Sequence, residues 1–163
     1  MSRVAYYLAA ISVTVLFDQW IKLLVEARLP MQEPVPLLPF LALFRTYNTG
    51  VAFSLFASIG DFGLIGIALL VTLFVAWLAS RTSAAHRLAH LGFALIIGGA
   101  LGNLIDRVLY GHVIDYVLFH TPVWSFAVFN LADAFITIGA ALIVADEVFG
   151  LGRRAAHADN PSD

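Results

Sequence analysis

Four long apolar segments follow one another along the chain. Each approaches the roughly 20 residues that a helix needs to cross the hydrocarbon of a membrane. They cover residues 4–25, 61–80, 88–109 and 126–149, and they predict four transmembrane helices. The first segment could instead be a cleavable signal with Arg3 as its basic flank. Its apolar run is long and three further spans follow, so an uncleaved first span is favoured.

The longest connection, residues 26–60, is too long for a plain link between two helices. It starts with the proline-punctuated, extended segment "PMQEPVPLLPF". Two short strands are then predicted, "LALFRTY" and "VAFSLF", with "NTG" as the turn between them. A further strand-like segment, "HVIDYVLF", lies in the loop 110–125. We therefore expect a small extracytoplasmic region of β-sheet and loops beside the helices.

The fold class that follows is an all-α membrane protein with four transmembrane helices and this small sheet region. The chain is expected to form a single integral membrane domain over residues 1–163, with a frayed tail at 151–163. The composition agrees, because 61% of the residues are hydrophobic and only 12% are charged. Soluble domains carry about twice that charged fraction.

The charges also limit the possible partners and chemistry. A net charge of −2 without a basic run argues against a nucleic-acid partner. The sequence contains no cysteine, which excludes disulfides, thiolate metal sites and a cysteine nucleophile.

The arginines predict the orientation of the chain, because cytoplasmic loops are enriched in Lys and Arg. Four crossings would place five arginines on one side: Arg3, Arg81, Arg87, Arg153 and Arg154. The other side would hold Arg28 and Arg45, with Arg107 near the end of a span. Both termini are therefore expected to be cytoplasmic, with 26–60 and 110–125 facing outward.

Polar residues within the spans concentrate at one depth. An ionisable side chain at mid-bilayer costs about 2.5–3.5 kcal/mol, so each needs a partner, water or a function. Eight polar or ionisable residues fall in the outer third of the membrane or in the adjoining loop: Asp18, Lys22, Asn103, Asp106, Arg107, Asp115, Asn130 and Asp133. Three different spans contribute to this set. We expect the residues to converge on one site near the outward water boundary.

A structural role is the simpler interpretation of several of these residues. Asp18 and Lys22 are spaced i, i+4 and can pair on one helix face. Asn103 and Asn130 can form hydrogen bonds between helices. At the opposite end of the bundle, two pairs are expected only to meet water: His86 with His90, and Asp146 with Glu147.

Asp115 and Asp133 differ from these structural residues, because neither has a basic residue at helical pairing distance. They lie 18 residues apart, on either side of the turn that leads into the fourth span. Two carboxyl groups in one half-buried pocket share a proton and suit general acid–base catalysis. Two unrelated structural aspartates remain the alternative.

Other chemistries have weaker support. The sequence has no H-E-x-x-H, G-x-S-x-G or P-loop motif, and a zinc site would lack ligands. Carboxylates could hold Mg²⁺, but no phosphate-binding motif accompanies them. A small transporter would place its polar groups near mid-membrane, and an inert structural membrane protein would tolerate Asp115→Asn.

Five ordered motifs give the sequence a family resemblance. They are "DQWIK" (18–22), "YNTGVAFSLF" (47–56), "GGALGNLIDR" (98–107), "GHVIDY" (111–116) and "NLADAFITIG" (130–139). With these motifs on four predicted spans, the sequence resembles the lipoprotein signal peptidase family, also called signal peptidase II, of bacteria.

The resemblance implies a membrane-embedded aspartic endopeptidase that needs no cofactor and no metal. Its substrate would be a diacylglyceryl-modified prolipoprotein, cleaved just before the lipidated cysteine. The family's catalytic aspartates match Asp115 and Asp133. Supporting or substrate-binding positions match Asp18, Lys22, Asn48, Gly50, Asn103, Asp106, Arg107 and Asn130.

The resemblance also implies a location and a setting. The protein would be a multi-pass monomer of the bacterial cytoplasmic membrane, in contact with membrane lipid. Its active site would lie near the outer face, beneath a sheet cradle and a mobile segment formed by residues 26–60.

Overall fold

The computed structural model describes residues 2–50 and 60–150. Within them, four helices carry most of the chain: α1 (Arg3–Arg28), α2 (Gly60–Arg81), α3 (Arg87–Tyr110) and α4 (Leu131–Val148). Four strands accompany them: β1 (Pro34–Leu38), β2 (Leu41–Asn48), β3 (Val113–Thr121) and β4 (Trp124–Ser125). The expectation of a mostly helical protein with a small sheet is confirmed.

Three of the helices, α1, α2 and α3, are long and apolar enough to cross a membrane. Large apolar side chains project from them into the surroundings, and Leu16 and Leu73 are 68% and 69% exposed. That exposure suits a lipid solvent. The fourth helix, α4, has 18 residues and includes Asp133, Asp146 and Glu147.

Helix α3 is the centre of the bundle, since it packs against α1, α2 and α4. Small residues permit the closest approach. A Cβ atom on Gly139 would collide with the backbone oxygen of Gly92, and a Cβ on Gly99 would collide with that of Ala132. The sequence "GGALG" at 98–102 therefore serves close helix contact, as glycine does in other membrane bundles.

The four strands form one antiparallel sheet in the order β1-β2-β3-β4. In the central pair, Thr46 faces Asp115 and Asn48 faces Val113. One side of the sheet covers the end of α1, where Val25 packs with Ile114 and Tyr116. The sheet thus lies over the end of the bundle at which α3 ends and α4 begins.

The start of α4 differs from the sequence prediction. The fourth span was expected to begin at residue 126, but the helix begins at Leu131. Phe129 instead pairs with Val117 of β3, and Asn130 is the N-cap of the helix. A polar N-cap followed by an acidic N3 residue is a strong helix start, which places the boundary there.

Other boundaries agree closely with the sequence. The predicted strands "LALFRTY" and "HVIDYVLF" correspond to β2 and β3, and α1 continues three residues beyond the predicted end at 25. The predicted strand "VAFSLF" and the tail at 151–163 lie outside the described residues.

Candidate active site

Asn130, the N-cap of α4, forms hydrogen bonds to two carboxyl groups. Asn130 accepts a hydrogen bond from the Asp133 backbone N–H on its side-chain oxygen, at 3.0 Å, and its own backbone N–H donates to Asp133 Oδ2 at 3.1 Å. Its side-chain Nδ2 donates to Asp115 Oδ1 at 2.7 Å. Asp115 and Asp133 are therefore both bonded to Asn130, one from β3 and one from the first turn of α4.

Asn103 of α3 completes the link between the two acids. Its Nδ2 donates to Asp133 Oδ1 at 2.8 Å, and its Oδ1 accepts from Asn130 Nδ2 at 3.0 Å. Asn48, at the end of β2, donates to Asp115 Oδ2 at 3.0 Å. Each oxygen of both carboxyl groups thus has a hydrogen-bond donor, and three asparagines fix their positions.

Lys22 lies at the centre of the supporting network. Its Nζ is 2.8 Å from Asp18 Oδ2, 2.7 Å from Asp106 Oδ2 and 2.9 Å from Asn103 Oδ1. Lys22, Asp18 and Asp106 are all at most 1% exposed. The predicted pairing of Asp18 with Lys22 is confirmed, and Asp106 is a second partner that sequence spacing did not indicate.

The two buried aspartates also hold backbone. Asp18 Oδ1 accepts from the N–H of Ala132 at 3.0 Å, and Asp106 Oδ2 accepts from the N–H of Ile114 at 3.3 Å. Ala132 directly precedes Asp133 in the chain, and Ile114 directly precedes Asp115. The salt-bridge network of α1 and α3 therefore positions the backbone on which those acids are mounted.

Asp115 and Asp133 face different environments. Asp115 is 2% exposed, whereas Asp133 is half-buried. Burial raises the pKa of the Asp115 carboxyl to about 6, the Asn48 hydrogen bond opposes that rise, and the nearby charge of Asp133 adds to it. The Asp115 carboxyl consequently keeps its proton in a larger fraction of molecules than an ordinary aspartate at mildly acidic pH.

Two cavities meet the acids from opposite sides of one short segment. The first, about 240 Å³, is lined by β2 residues, Asp115 and the segment Ala127–Val128. The second, about 520 Å³, is lined by Asp133, Phe126, Phe129 and Ile138, and by Ala127 and Val128 again. A chain or lipid could therefore approach the acids from the sheet side or from the side of α4.

Two of the sequence-predicted residues hold peripheral positions. Gly50 has a φ of 83°, in the left-handed region that favours glycine, and its N–H donates to Asn48 Oδ1 at 2.8 Å. It helps to orient Asn48. Arg107 is in the last turn of α3, and no hydrogen bond or ion pair joins its side chain to the described part of the network.

Two members of the site were not among the residues predicted from the sequence. Gln19 donates to Asp106 Oδ1 at 2.8 Å and to Gly102 O at 3.2 Å, which joins α1 to α3. Its position as a polar residue inside a span was the available signal. The hydroxyl of Tyr116 accepts from the Leu131 N–H at 3.2 Å, and nothing in the sequence indicated this role.

The polar residues at the other end of the bundle do not simply meet water, as had been expected. Asp146 is 1% exposed and lies 2.9 Å from His86 Nδ1. His90 is buried and lies 2.7 Å from the Tyr7 hydroxyl. The expectation was wrong because the residues pair across helices, between positions far apart in sequence.

Comparison with known proteins identifies relatives of this chain. The family model described as signal peptidase (SPase) II matches residues 10–149. A lipoprotein signal peptidase of Mesorhizobium japonicum is 64% identical over 152 residues, covering 93% of this chain and 90% of that protein. One of Brucella ovis is 58% identical over 146 residues, covering 90% and 91%.

Solved structures are similar as well. A bacterial membrane enzyme determined by the in meso method at 1.9 Å resolution has a TM-score of 0.69 and 26% identity, over 86% of this chain and 90% of that one. A second, at 2.3 Å resolution, has a TM-score of 0.68 and 25% identity, over 88% of both chains. With the family model matching most of its length, this chain belongs to the signal peptidase II family of peptidases.

Proposed function

We propose that Asp115 and Asp133 are the catalytic pair of this peptidase. The observation that carries the proposal is their common attachment to Asn130, whose side chain bonds one carboxyl group and whose backbone N–H bonds the other. Two carboxyl groups held this close share protons, which is the state that general acid–base hydrolysis needs.

The mechanism assigns a different protonation state to each acid. In it, the Asp115 carboxyl, whose pKa is raised to about 6, is the proton donor, and Asp133 is the general base. Asp133 takes a proton from water, the water oxygen attacks the peptide carbonyl carbon, and Asp115 donates its proton to the carbonyl oxygen. Collapse of this tetrahedral intermediate breaks the C–N bond. The proton held by Asp133 goes to the leaving amine nitrogen, and one hydroxyl of the intermediate returns its proton to Asp115 as the carboxylic acid product forms. The two acids supply every proton transfer.

The supporting network holds the acids without neutralising them. Lys22 bonds Asp18 and Asp106, and it reaches Asn103 rather than either catalytic carboxyl group. The charge of Lys22 lowers the pKa of Asp115 less than burial raises it, so that pKa stays above its ordinary value.

The proposed substrate is a diacylglyceryl-modified prolipoprotein, cleaved before its lipidated cysteine. The relatives named above are lipoprotein signal peptidases. The apolar cavity beside Asp133, lined by Phe126, Phe129 and Ile138, suits a lipid or an apolar side chain next to the scissile bond. The smaller cavity at Asp115 contains Asn48 and Thr49, which suits polar peptide backbone.

The proposed topology has four crossings, with α4 as the fourth. At 18 residues α4 is about 27 Å long, close to the thickness of the hydrocarbon. Arg3 donates to Ala79 O at 2.9 Å, so the start of α1 lies beside the end of α2, as four crossings require. The arginines at this end favour the cytoplasm, which would place the acids at the outer face. We further propose that the protein acts as a monomer and without a cofactor.

The proposal is tested with purified protein and a diacylglyceryl-modified precursor. Asp115→Asn and Asp133→Asn should each reduce cleavage on the order of 10³-fold, because each removes one proton-transfer group. Asp146→Asn is the matched control, since Asp146 is as buried as Asp115 but lies at the opposite end of the bundle. Thermal unfolding of each variant establishes that it is folded.

Two further arms test the chemistry and the substrate. A chelator should leave cleavage unchanged, and the unlipidated precursor should be cleaved much more slowly. Near-normal turnover by Asp133→Asn would refute the catalytic pair. Strong inhibition by the chelator, reversed by zinc, would indicate a metallopeptidase instead.

A further inference from the structure

A basic cavity lies at the end of the bundle opposite the acids. Its volume is about 460 Å³, and it is lined by Arg3, Tyr6, Tyr7, Ala84, Arg87 and His90. Two arginines and no acidic residue line it, so the cavity has an excess of positive charge. We call it the head-group cavity.

Within residues 2–50 and 60–150, no carboxylate pairs with either arginine of the head-group cavity. The Arg3 guanidinium bonds the backbone oxygens of Ala79 and Thr82 and lies 2.8 Å from His90 Nε2. Arg87 is exposed, and its side chain has no hydrogen bond or ion pair to the part of the chain that the structure describes. Arg3 is therefore held in position, while Arg87 is available to a ligand.

The helix that begins at Arg87 adds to the positive potential. His86 is the N-cap of α3, but its side chain makes no capping hydrogen bond, and the first turn has no acidic residue. The His86 ring instead pairs with Asp146, which lines a different cavity. A helix start without a side-chain cap has a partial positive charge that attracts anions.

An apolar groove continues from the head-group cavity. It has a volume of about 440 Å³, and Arg3 and Tyr7 line both spaces. The rest of the groove is lined by α1, α2 and one residue of α3: Val4, Leu8, Ile11, Ala76, Ala79, Ser80 and Ile97. From Val4 to Ile11 it follows α1 for about 10 Å. We call it the α1/α2 groove.

We propose that the two spaces together bind one anionic phospholipid. The phosphate would lie between Arg3 and Arg87, and one acyl chain would lie in the α1/α2 groove. A free anion would use only the head-group cavity and would leave the groove empty. Basic residues at a membrane surface each favour an anionic lipid by about fivefold in affinity. This inference goes beyond the proposed peptidase reaction and does not depend on it.

The binding is measured by native mass spectrometry of the delipidated, full-length protein in detergent. One phosphatidylglycerol per chain should bind on the order of tenfold more tightly than phosphatidylcholine, because two arginines contribute. Arg87→Gln should weaken phosphatidylglycerol binding about fivefold. Arg28→Gln is the matched control, since Arg28 is exposed at the far end of α1.

The groove is tested separately with Ala76→Phe, which places a ring in it. Binding of phosphatidylglycerol should fall, whereas Ala9→Phe, on an exposed part of α1 outside the groove, should leave it unchanged. Thermal unfolding identifies any variant that does not fold. Arg87→Gln then decides alone, because the Arg87 side chain has no hydrogen bond or ion pair to the described residues.

Three results would overturn the proposal. They are equal affinity for phosphatidylglycerol and phosphatidylcholine, equal effects of Arg87→Gln and Arg28→Gln, and displacement of the lipid by inorganic phosphate at an equal concentration. The last would identify a site for a free anion. None of these measurements involves peptide cleavage, so failure here is distinct from failure of the proposed peptidase function.

Discussion

The side-chain amide of Asn130 donates to Asp115 Oδ1 at 2.7 Å, and so joins the N-cap of α4 to the middle of β3. Asn130 is fully buried, and it serves two purposes with one side chain. Its oxygen caps the helix on which Asp133 is mounted, and its nitrogen holds Asp115. Helix capping and the position of the acids are therefore coupled.

The two purposes of Asn130 can be separated by Asn130→Asp. Aspartate also caps helices well, so the free energy of unfolding should change little from capping. It has no N–H to donate to Asp115, and it adds a third carboxylate. We expect kcat to fall at least about tenfold, measured with the lipidated precursor. Asn130→Ala, which loses the cap as well, should also lower stability by about 1 kcal/mol. Wild-type kcat in Asn130→Asp would show that this hydrogen bond is dispensable.

Lys22→Met should strongly destabilise the fold. The variant keeps the volume of the side chain but leaves Asp18 and Asp106 without their shared cation. Removing one member of a buried ion pair typically costs about 3–5 kcal/mol. Chemical unfolding in detergent gives the measurement, with the exposed Arg28→Met on the same helix as control. Adding Asp106→Asn to Lys22→Met should recover part of the loss. Equal stability of Lys22→Met and Arg28→Met would contradict the assigned role.

The pH dependence of cleavage should report Asp115. If Asp115 supplies a proton, kcat/KM falls as the pH rises through its pKa of about 6. Asn48 donates to the ionised carboxylate and holds this pKa down, so Asn48→Ala should move the alkaline limb to higher pH. The pH–rate profiles of both proteins provide the test. A limb that stays in place, or moves to lower pH, would exclude Asp115 as the titrating group.

Asp115→Asn should alter the dependence of stability on pH. Because the folded-state pKa is raised from 3.8 to about 6, the native state binds more protons than the unfolded state between these values. The contribution of Asp115 to stability is therefore fully present below pH 3.8 and is lost as the pH rises through about 6. Thermal unfolding of wild type should show this decline between pH 4.5 and 7.5, and the decline should be smaller in Asp115→Asn. The same dependence of stability on pH in both proteins would mean that folding does not raise the pKa of Asp115.

Gly139→Val should loosen the contact between α3 and α4. The new side chain would meet the backbone oxygen of Gly92, which cannot move without shifting the helix. Overpacking of this kind costs about 1–3 kcal/mol. Gly66→Val is the matched control, because nothing lies within 4 Å of a Cβ atom there. Thermal unfolding in the same detergent compares the two, and equal midpoints would show that the close approach does not matter.

The sequence was informative where the physical signal is local. An i, i+4 spacing predicted the Asp18–Lys22 pair, and apolar length predicted the helices. Contacts between distant positions left no such signal. Neither the bond from Lys22 to Asp106 nor the pairing of His86 with Asp146, 60 residues away, follows from spacing. The late start of α4 has both kinds of cause: the local cap at Asn130, which the sequence carries, and the pairing of Phe129 with β3, a tertiary contact that it does not reveal.

The pairing of β2 with β3 implies that the chain tolerates inserted or deleted residues at some positions and not at others. Thr46 opposite Asp115 fixes the face of the sheet from which the acid projects. Side chains alternate between faces, so one added or missing residue between Gly111 and Asp115 would turn the carboxyl away from Asn130. With Asp115 as the proposed proton donor, such a shift would abolish cleavage although every side chain of the site remained in the sequence. Length variation among homologues is thus expected elsewhere, in the exposed β3–β4 turn around Val123.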